Sequence, residues 1–420
     1  MHATLVTMGT DGDVFPYLAL GARLSARGHR VTLVANQRYE DSATEHGFAF
    51  HTLISNNEEN QLFSNPDFWH PVRGPLLGAR VGAPLISRQC SLLAKLVGGR
   101  DTVFIASPGV FAASIVREKY SLRLATIICQ PWLIPSAIAP PAMPGGLTLP
   151  GWAPLTLRRL YFRLIDTLGG MLVGRQVREA RATLGLKPVR GVYSWWFSPE
   201  LVVGLFPEWY APPQADWPAQ IQLASFPLYD GQPKGELSDE LIRFCRAGDQ
   251  PVVFTFGTGM LHAAQSFRVA LESCVALGIR GILLTKHAEQ VPSPLPETVR
   301  HIPFVPLRKL LPHCVAIVHH GGIGTVSQAL AAGTPQLVLP LAWDQPDNAH
   351  RVKQLGVGDW LPRHRRNTAH VTDALRRVMS PAIRTRCAEV AEYFDGDDSL
   401  EAAVAHIERL ALRNGAWHQF

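Results

Sequence analysis

The feature that most constrains this chain is an alternation, run twice, of short apolar segments with amphipathic ones. Residues 3–7, 30–35, 48–53, 102–107 and 124–129 read as buried strands, and residues 16–27 read as a helix that Gly28 ends. Strands that are apolar throughout, separated by helices, predict a parallel sheet covered on both faces. The pattern restarts with strands at 252–256, 281–285, 315–319 and 336–339 and helices at 263–277, 325–332 and 348–355. The expected class is therefore α/β, with two Rossmann-like domains facing a central cleft. Their expected extents are 1–222 and 223–400, with 401–420 a C-terminal helix able to return to the first domain. In such sheets ligands bind beyond the carboxyl ends of the strands, so both halves offer their post-strand loops to the cleft.

The regular pattern breaks between residues 131 and 154, where Pro131, Pro135, Pro140, Pro141, Pro144, Pro150 and Pro154 exclude a long helix or a central strand. This stretch is expected to be an ordered loop or a lid. Residues 155–181 mix arginines with apolar residues and predict one or two amphipathic helices. Residues 206–231 carry the turn residues of a passage between halves. A chain that is 47% hydrophobic and 18% charged has enough apolar material for two cores. Its six cysteines form no C-x-x-C pair, which argues against a disulfide framework or a structural zinc. The start lacks a signal-peptide pattern, and no apolar run approaches the ~18 residues of a spanning helix. A cytoplasmic protein is expected. The net charge of +6 suits a phosphate-bearing ligand or an anionic surface. No nucleic-acid motif accompanies that charge, so nucleic acid is not an expected partner.

Two constellations carry chemistry. In the first, strand 315–319 runs into His320-Gly321-Gly322-Ile323-Gly324-Thr325 and then directly into a helix. Glycines admit a ligand close to the backbone, and the free N–H groups at a helix start favour a diphosphate. His320 and Thr325 can add side-chain donors, whereas His319 reads as structural. By itself such a turn can also be nothing more than a tight strand-to-helix connection. The second constellation is the turn Gly9-Thr10-Asp11-Gly12-Asp13-Val14-Phe15-Pro16, which lacks the G-x-G-x-x-G of a dinucleotide site. D-x-D triplets at 11–13 and 395–397 both lie far from the glycine turn in sequence, so no metal site and no cofactor are expected.

Between residues 304 and 348 the elements F-V-P, H-H-G-G-x-G-T, A-A-G-T-P and D-Q-P-D-N follow in order. They resemble the nucleotide-sugar signature of family 1 glycosyltransferases, which implies the GT-B fold and a nucleotide diphosphate sugar as co-substrate. The resemblance places Phe304 and Val305 against the base, and His320, Gly322, Gly324 and Thr325 on the diphosphate. It places Asp344 and Gln345 on the sugar hydroxyls, and Gly257 and Thr258 near the phosphates, with Thr10 and Gly12 facing the donor. The family usually carries an acid at the position of Gln328, where it binds the ribose diol, so glutamine there points from uridine toward deoxythymidine. The G-[ST]-x-G-D start of the family matches here and makes Asp13 the candidate general base. The bland alternative is an N-cap for the following helix, and Asp11 is the competing acid. A single displacement would invert the anomeric carbon.

The acceptor is expected on the first half, against Phe15, Trp132, Met143 and Trp152, followed by the leucine-rich segment after 154. Arg158, Arg159 and Arg163 among those leucines suit either a solvated helix face or peripheral contact with the inner face of a membrane. Within the family, the G-D-V-F-P turn, the aromatic element at 206–213, D-W-P at 216–218 and F-P-L-Y-D-G at 226–231 resemble the rhamnosyltransferases of rhamnolipid synthesis. That likeness implies dTDP-L-rhamnose as donor and a hydroxyalkanoyloxyalkanoate as acceptor. The other readings are a UDP-glucose-dependent sterol or polyketide glucosyltransferase and a catalytically silent activator.

Overall fold

The first half builds one sheet from β1 (His2–Val6), β2 (Arg30–Asn36), β3 (Ala49–Ile54), β4 (Thr102–Ala106), β5 (Arg123–Ile128), β6 (Leu201–Gly204) and β7 (Ile221–Leu223). All neighbours in it are parallel, in the order β3-β2-β1-β4-β5-β6-β7. The second half builds another from β8 (Val252–Thr255), β9 (Gly281–Leu284), β10 (Val299–Ile302), β11 (Ala316–His319), β12 (Gln336–Val338) and β13 (Gly358–Trp360). It too is all parallel, in the order β10-β9-β8-β11-β12-β13. This computed structural model describes residues 1–99, 101–189, 191–229, 231, 236–396 and 400–412.

The alternation of side chains along each strand divides the cores. Leu5, Leu33, Ile105 and Ile127 point to one face of the first sheet, and Val6, Val34, Phe104 and Ala106 to the other. In the second sheet Phe254, Leu283 and Val318 share one face, and Val253, Ile282 and Ile317 share the opposite one. Burial on both faces is why these strands are apolar without a period of two.

β6, β7, β10 and β13 lie outside the segments expected from the sequence. They are three or four residues long, and three of them close a sheet edge, where Arg300, His301 and Asp359 are tolerated because one side meets solvent. Such short pieces leave no usable periodicity. β7 ends at Leu223, one residue past the expected domain boundary. The first helix is Asp11–Ala26, starting earlier than Pro16 suggested, so Asp13 lies in its first turn rather than at the N-cap, which is Thr10. Residues 155–183 form one 29-residue helix, Leu155–Thr183. The stretch before it contains only the short 3-10 turns Pro131–Leu133 and Pro144–Gly146.

The two halves are tied at several places. The final described helix, Glu401–Leu412, packs on the first helix and on β5, β6 and β7, and Glu408 meets His29 Nε2 at 2.8 Å. Residues 413–420, the rest of the expected C-terminal helix, are outside the described residues. Phe226, 1% exposed, sits under Tyr210, Trp209 and Phe394 with ring centroids 5.0, 6.0 and 6.2 Å away. Because Phe394 belongs to the chain's return segment, this cluster fastens the end of the second half to the first. Phe226→Ala is expected to destabilise the protein by about 3–4 kcal/mol through lost burial and a residual cavity, read as a lower denaturant midpoint with an unchanged slope.

Candidate functional site

The order of the strands reverses between β1 and β4 and between β8 and β11. At such switch points the connections leave in opposite directions and open a crevice. Both crevices face each other. Gly9 to Asp13 follow β1, Gln130 to Trp132 follow β5, Gly257 and Thr258 follow β8, Phe304 follows β10, His320 to Thr325 follow β11, and Trp343 to Gln345 follow β12. All of these segments, apart from Pro131 and Gly321 within them, line a single cavity of about 1110 Å3 between the halves.

The glycine turn is shaped by crowding. Gly321 has φ +97°, and a Cβ there would meet Val338 Cγ1 at 2.7 Å and the Gln345 carbonyl oxygen at 3.1 Å. His319 is fully buried and braces the turn: its Nδ1 accepts from the Gly321 N–H at 3.1 Å and its Nε2 lies 3.1 Å from Gln336 Oε1. That is the structural part expected of it. His320 has a different environment. Its Nε2 lies where a Cβ on Gly257 or Gly322 would approach to 2.9 or 2.6 Å, so both glycines are needed to seat the ring. Burial pushes its pKa down to about 4, which keeps the imidazole neutral near pH 7, and its Nδ1 has no protein partner.

Asp344 occupies the N-cap position of helix Gln345–Gln354, yet its carboxylate does not cap that helix. It accepts instead from the Ile323 N–H at the start of helix Ile323–Ala331 and from Asn348 Nδ2 at 2.7 Å. Burial, reinforced by the negative charge of Asp13, lifts its pKa to about 7. Asp13 and Asp344 thus face each other closely enough to interact across the cleft, and both also act on the buried Cys129 thiol.

Asp13 is held by donors. The Thr10 N–H and hydroxyl reach its Oδ2 at 2.9 and 3.1 Å, and Gln130 Nε2 reaches Oδ1 at 3.3 Å. Burial raises its pKa while these hydrogen bonds oppose the rise. Asp11, the competing acid, is already engaged: Tyr39 donates to it at 2.8 Å and Arg38 pairs with it at 3.4 Å. Arg38 also pairs with buried Glu59, which accepts from Asn36, and Asn36 receives the Gly9 N–H. Asp11 therefore belongs to a brace beneath the turn.

The remaining expected residues divide. Phe304 lies partly exposed in the cavity, with Lys286 Nζ 4.9 Å from its ring centroid. The Val305 side chain is buried in the core, leaving its backbone for a ligand. Gln328 is buried with an unpaired Oε1. The Gln345 side-chain Oε1 accepts from the N–H groups of Leu341 and Ala342, at 2.7 and 3.1 Å, so of its side chain the NH2 remains for a sugar. Thr10, Gly12, Gly322, Gly324 and Thr325 line the cavity, as do Phe15, Trp132 and Met143. Trp152 does not. It is 85% exposed outside the cleft, because helix Leu155–Thr183 starts just beyond it and directs it to the surface. Among the described residues no group of three or more His, Cys, Asp or Glu is placed to hold a metal ion, and Asp397 of the second D-x-D lies outside them.

Residues 3–137 match the glycosyltransferase family 28 N-terminal domain, and residues 270–407 match the erythromycin biosynthesis protein CIII-like C-terminal domain. The structure superposes on the glycotransferase of kitacinnamycin with a TM-score of 0.75 at 19% identity, covering 98% of this chain and 99% of the other. It superposes on the spinosyn rhamnosyltransferase SpnG, solved with thymidine diphosphate, with a TM-score of 0.68 at 18% identity, covering 97% and 100%. The chain has the GT-B fold, and the matches along both halves make it a glycosyltransferase. Among curated relatives of this glycosyltransferase, the O-mycaminosyltylonolide 6-deoxyallosyltransferase of Streptomyces fradiae is 27% identical, with 98% of each chain covered. A sterol 3-beta-glucosyltransferase of Arabidopsis thaliana is 24% identical, covering 96% of this chain and 64% of its own length.

Sequence reasoning missed several residues of the glycosyltransferase site. Asn348 is fully buried and joins three elements: its Nδ2 donates to Asp344 and, at 2.9 Å, to the Gly321 carbonyl, while its Oδ1 accepts from Tyr210 of the first half at 2.9 Å. The i, i+4 spacing within D-Q-P-D-N was the available signal. Gln130 and Lys286 had none beyond following a strand. Trp343, with φ +59°, had none either; its indole N–H donates to the Phe68 carbonyl across the cleft at 3.2 Å.

The folded protein holds the Asp344 proton to about pH 7, whereas an unfolded chain releases it near 3.8. Stability is therefore lost as pH rises between those values and stays reduced above them. Asparagine carries no such penalty, so Asp344→Asn is expected to raise the ligand-free protein's stability at pH 8 by about 1–3 kcal/mol, with cleft water screening part of the full effect, and to leave it unchanged near pH 4. Thermal melts of both proteins across that range check the sign.

Proposed function

We propose that this glycosyltransferase inverts configuration while moving L-rhamnose from dTDP-L-rhamnose to the hydroxyl of a lipid-like acceptor such as a hydroxyalkanoyloxyalkanoate. The observation that carries the transfer reading is the shared cavity, in which the start of helix Ile323–Ala331 and the carboxylate of Asp13 face one space from opposite domains. A diphosphate at that helix start would meet free N–H groups and the neutral, unpartnered His320 ring. The sugar would then lie toward Asp344 and the Gln345 NH2.

The step balances simply. The acceptor oxygen forms a bond to the anomeric carbon while its proton passes to Asp13, and the bond from that carbon to the phosphate oxygen breaks. Charge grows on the departing diphosphate, where the helix start and His320 act as fixed donors in a site with little water. Burial is what makes Asp13 serviceable, since an ordinary carboxylate is too weak a base. The donors from Thr10 and Gln130 limit that rise.

Two features favour a deoxythymidine donor. Gln328 replaces the acid that the family uses on a ribose diol, and its unpaired Oε1 can accept from a single hydroxyl. SpnG and VinC, both of the same fold, were solved with thymidine diphosphate. For the acceptor, the cavity extends between helices Ile86–Lys95 and Leu155–Thr183 past Leu85, Ile86, Phe162, Ile165, Leu172 and Val173. That wall favours an apolar, flexible molecule. The same width would admit a rigid sterol or polyketide, which the relatives glycosylate or carry in their names, and UDP-glucose transfer to such an aglycone is the competing reading.

Product mass spectrometry with dTDP-L-rhamnose and UDP-glucose, each offered with hydroxy-lipid, sterol and macrolide acceptors, decides between them; a rhamnosylated hydroxy-lipid is the expected product. Asp13→Asn should lower kcat at least about a thousandfold with donor affinity retained, and a variant that keeps wild-type kcat would remove Asp13 as the base. Wild-type kcat/KM should fall on acidification through a pKa above the ordinary carboxylate range. His320→Ala should weaken nucleotide binding about 10- to 100-fold, read by calorimetry with dTDP. Turnover absent with every pair would leave the silent-activator reading standing.

A further inference from the structure

Helix Leu155–Thr183 has two apolar sides and only one of them is used. Phe162, Ile165, Gly169, Leu172 and Val173 line the cavity. On another side Leu157, Leu160, Leu164, Leu168 and Met171 stand 48, 62, 53, 51 and 72% exposed, with Leu168 at the border because it also lines the cavity. Their spacing of three, four, four and three residues is that of a single helix stripe. Trp152, 85% exposed just before the helix, and Leu147, 54% exposed, extend the patch. A contiguous run of this size marks a surface that binds something.

The charges around it say what. Between Leu147 and Leu172 the sole acidic residue is Asp166, and its carboxylate is turned away to accept from the Tyr193 N–H at 3.0 Å and the Ser194 hydroxyl at 3.3 Å. Arg159 and Arg163 are exposed between the leucines and also reach the rim of the cavity. A second copy of the chain on this stripe would set arginine against arginine. Anionic headgroups would pair with them while the leucines and the tryptophan enter the acyl boundary, the arrangement of an interfacial helix. No helix among the described residues is long and apolar enough to cross a membrane, so the contact is along the surface.

We propose that this stripe seats the protein on an anionic lipid bilayer, with the cavity opening beside the contact so that an apolar acceptor enters from the lipid. The docking rests on the exposed stripe and its charges and not on the identity of donor or acceptor, so it can fail or succeed independently of the rhamnosyl reading.

The test is flotation with vesicles of phosphatidylcholine alone and of phosphatidylcholine with about 30 mol% phosphatidylglycerol. The wild-type chain should float with the anionic vesicles, bind the neutral ones about tenfold less, and detach as salt is raised. The combined variant Leu157→Gln, Leu160→Gln, Leu164→Gln, Met171→Gln touches no cavity-lining residue and should lose anionic-vesicle binding about tenfold or more, with melting temperature and circular dichroism unchanged. Light scattering is run on both proteins. Wild type that stays in solution, a variant that floats equally well, or a wild-type dimer that the variant converts to monomer would each overturn the proposal, the last by assigning the stripe to a second copy.

Discussion

Asn348 is the point on which the two halves and the site depend. One buried amide holds the carbonyl of the glycine turn, the carboxylate of Asp344 and the hydroxyl of Tyr210. An unmade hydrogen bond there would cost the full desolvation of its partner. Around it Asp347 accepts from the Ala142 N–H of the proline-rich stretch at 2.9 Å, and Arg351 reaches the Tyr210 carbonyl at 3.0 Å. Helix Gln345–Gln354 is thus a hinge plate: its first turn presents Asp344 to the cavity, and its buried face grips the opposite domain.

With that plate in position, the electrostatics of the cleft follow from burial. Burial raises the pKa values of Asp13 and Asp344, the charge of Asp13 adds to the rise at Asp344, and burial also keeps His320 neutral. The start of helix Ile323–Ala331 is met by the Asp344 carboxylate, and a diphosphate sugar bound there would supply the charge and hydroxyls that the buried groups can pair with. Preorganised donors of this kind favour the transition state because they need no rearrangement as charge moves to the leaving group.

The long helix Leu155–Thr183 links the site to the outside. In the proposed reading the two-domain frame would set the position of the donor, while the acceptor wall would be made largely by this helix and by Ile86–Lys95, which pack on each other and on helix Phe111–Tyr120. Changes along them would alter the acceptor wall with little effect on the strands.

Much of this was legible in the sequence. Long apolar strands such as residues 102–106 carry their own signature because burial on both faces demands it, and the glycine turn, Asp13 and Asp344 lie in spacings set by local backbone geometry. Those positions depend on neighbours a few residues away, so the sequence by itself determined the α/β class, the two domains and the polar residues at the strand ends. What joined Asn348 to Tyr210, paired Arg38 with Asp11 and thereby left Asp13 as the acid facing the cleft, and turned Trp152 outward was decided only by the tertiary structure. Each depends on contacts between segments far apart in the chain, and a side chain's burial, partners and protonation belong to the assembled surface around it rather than to its own stretch of residues.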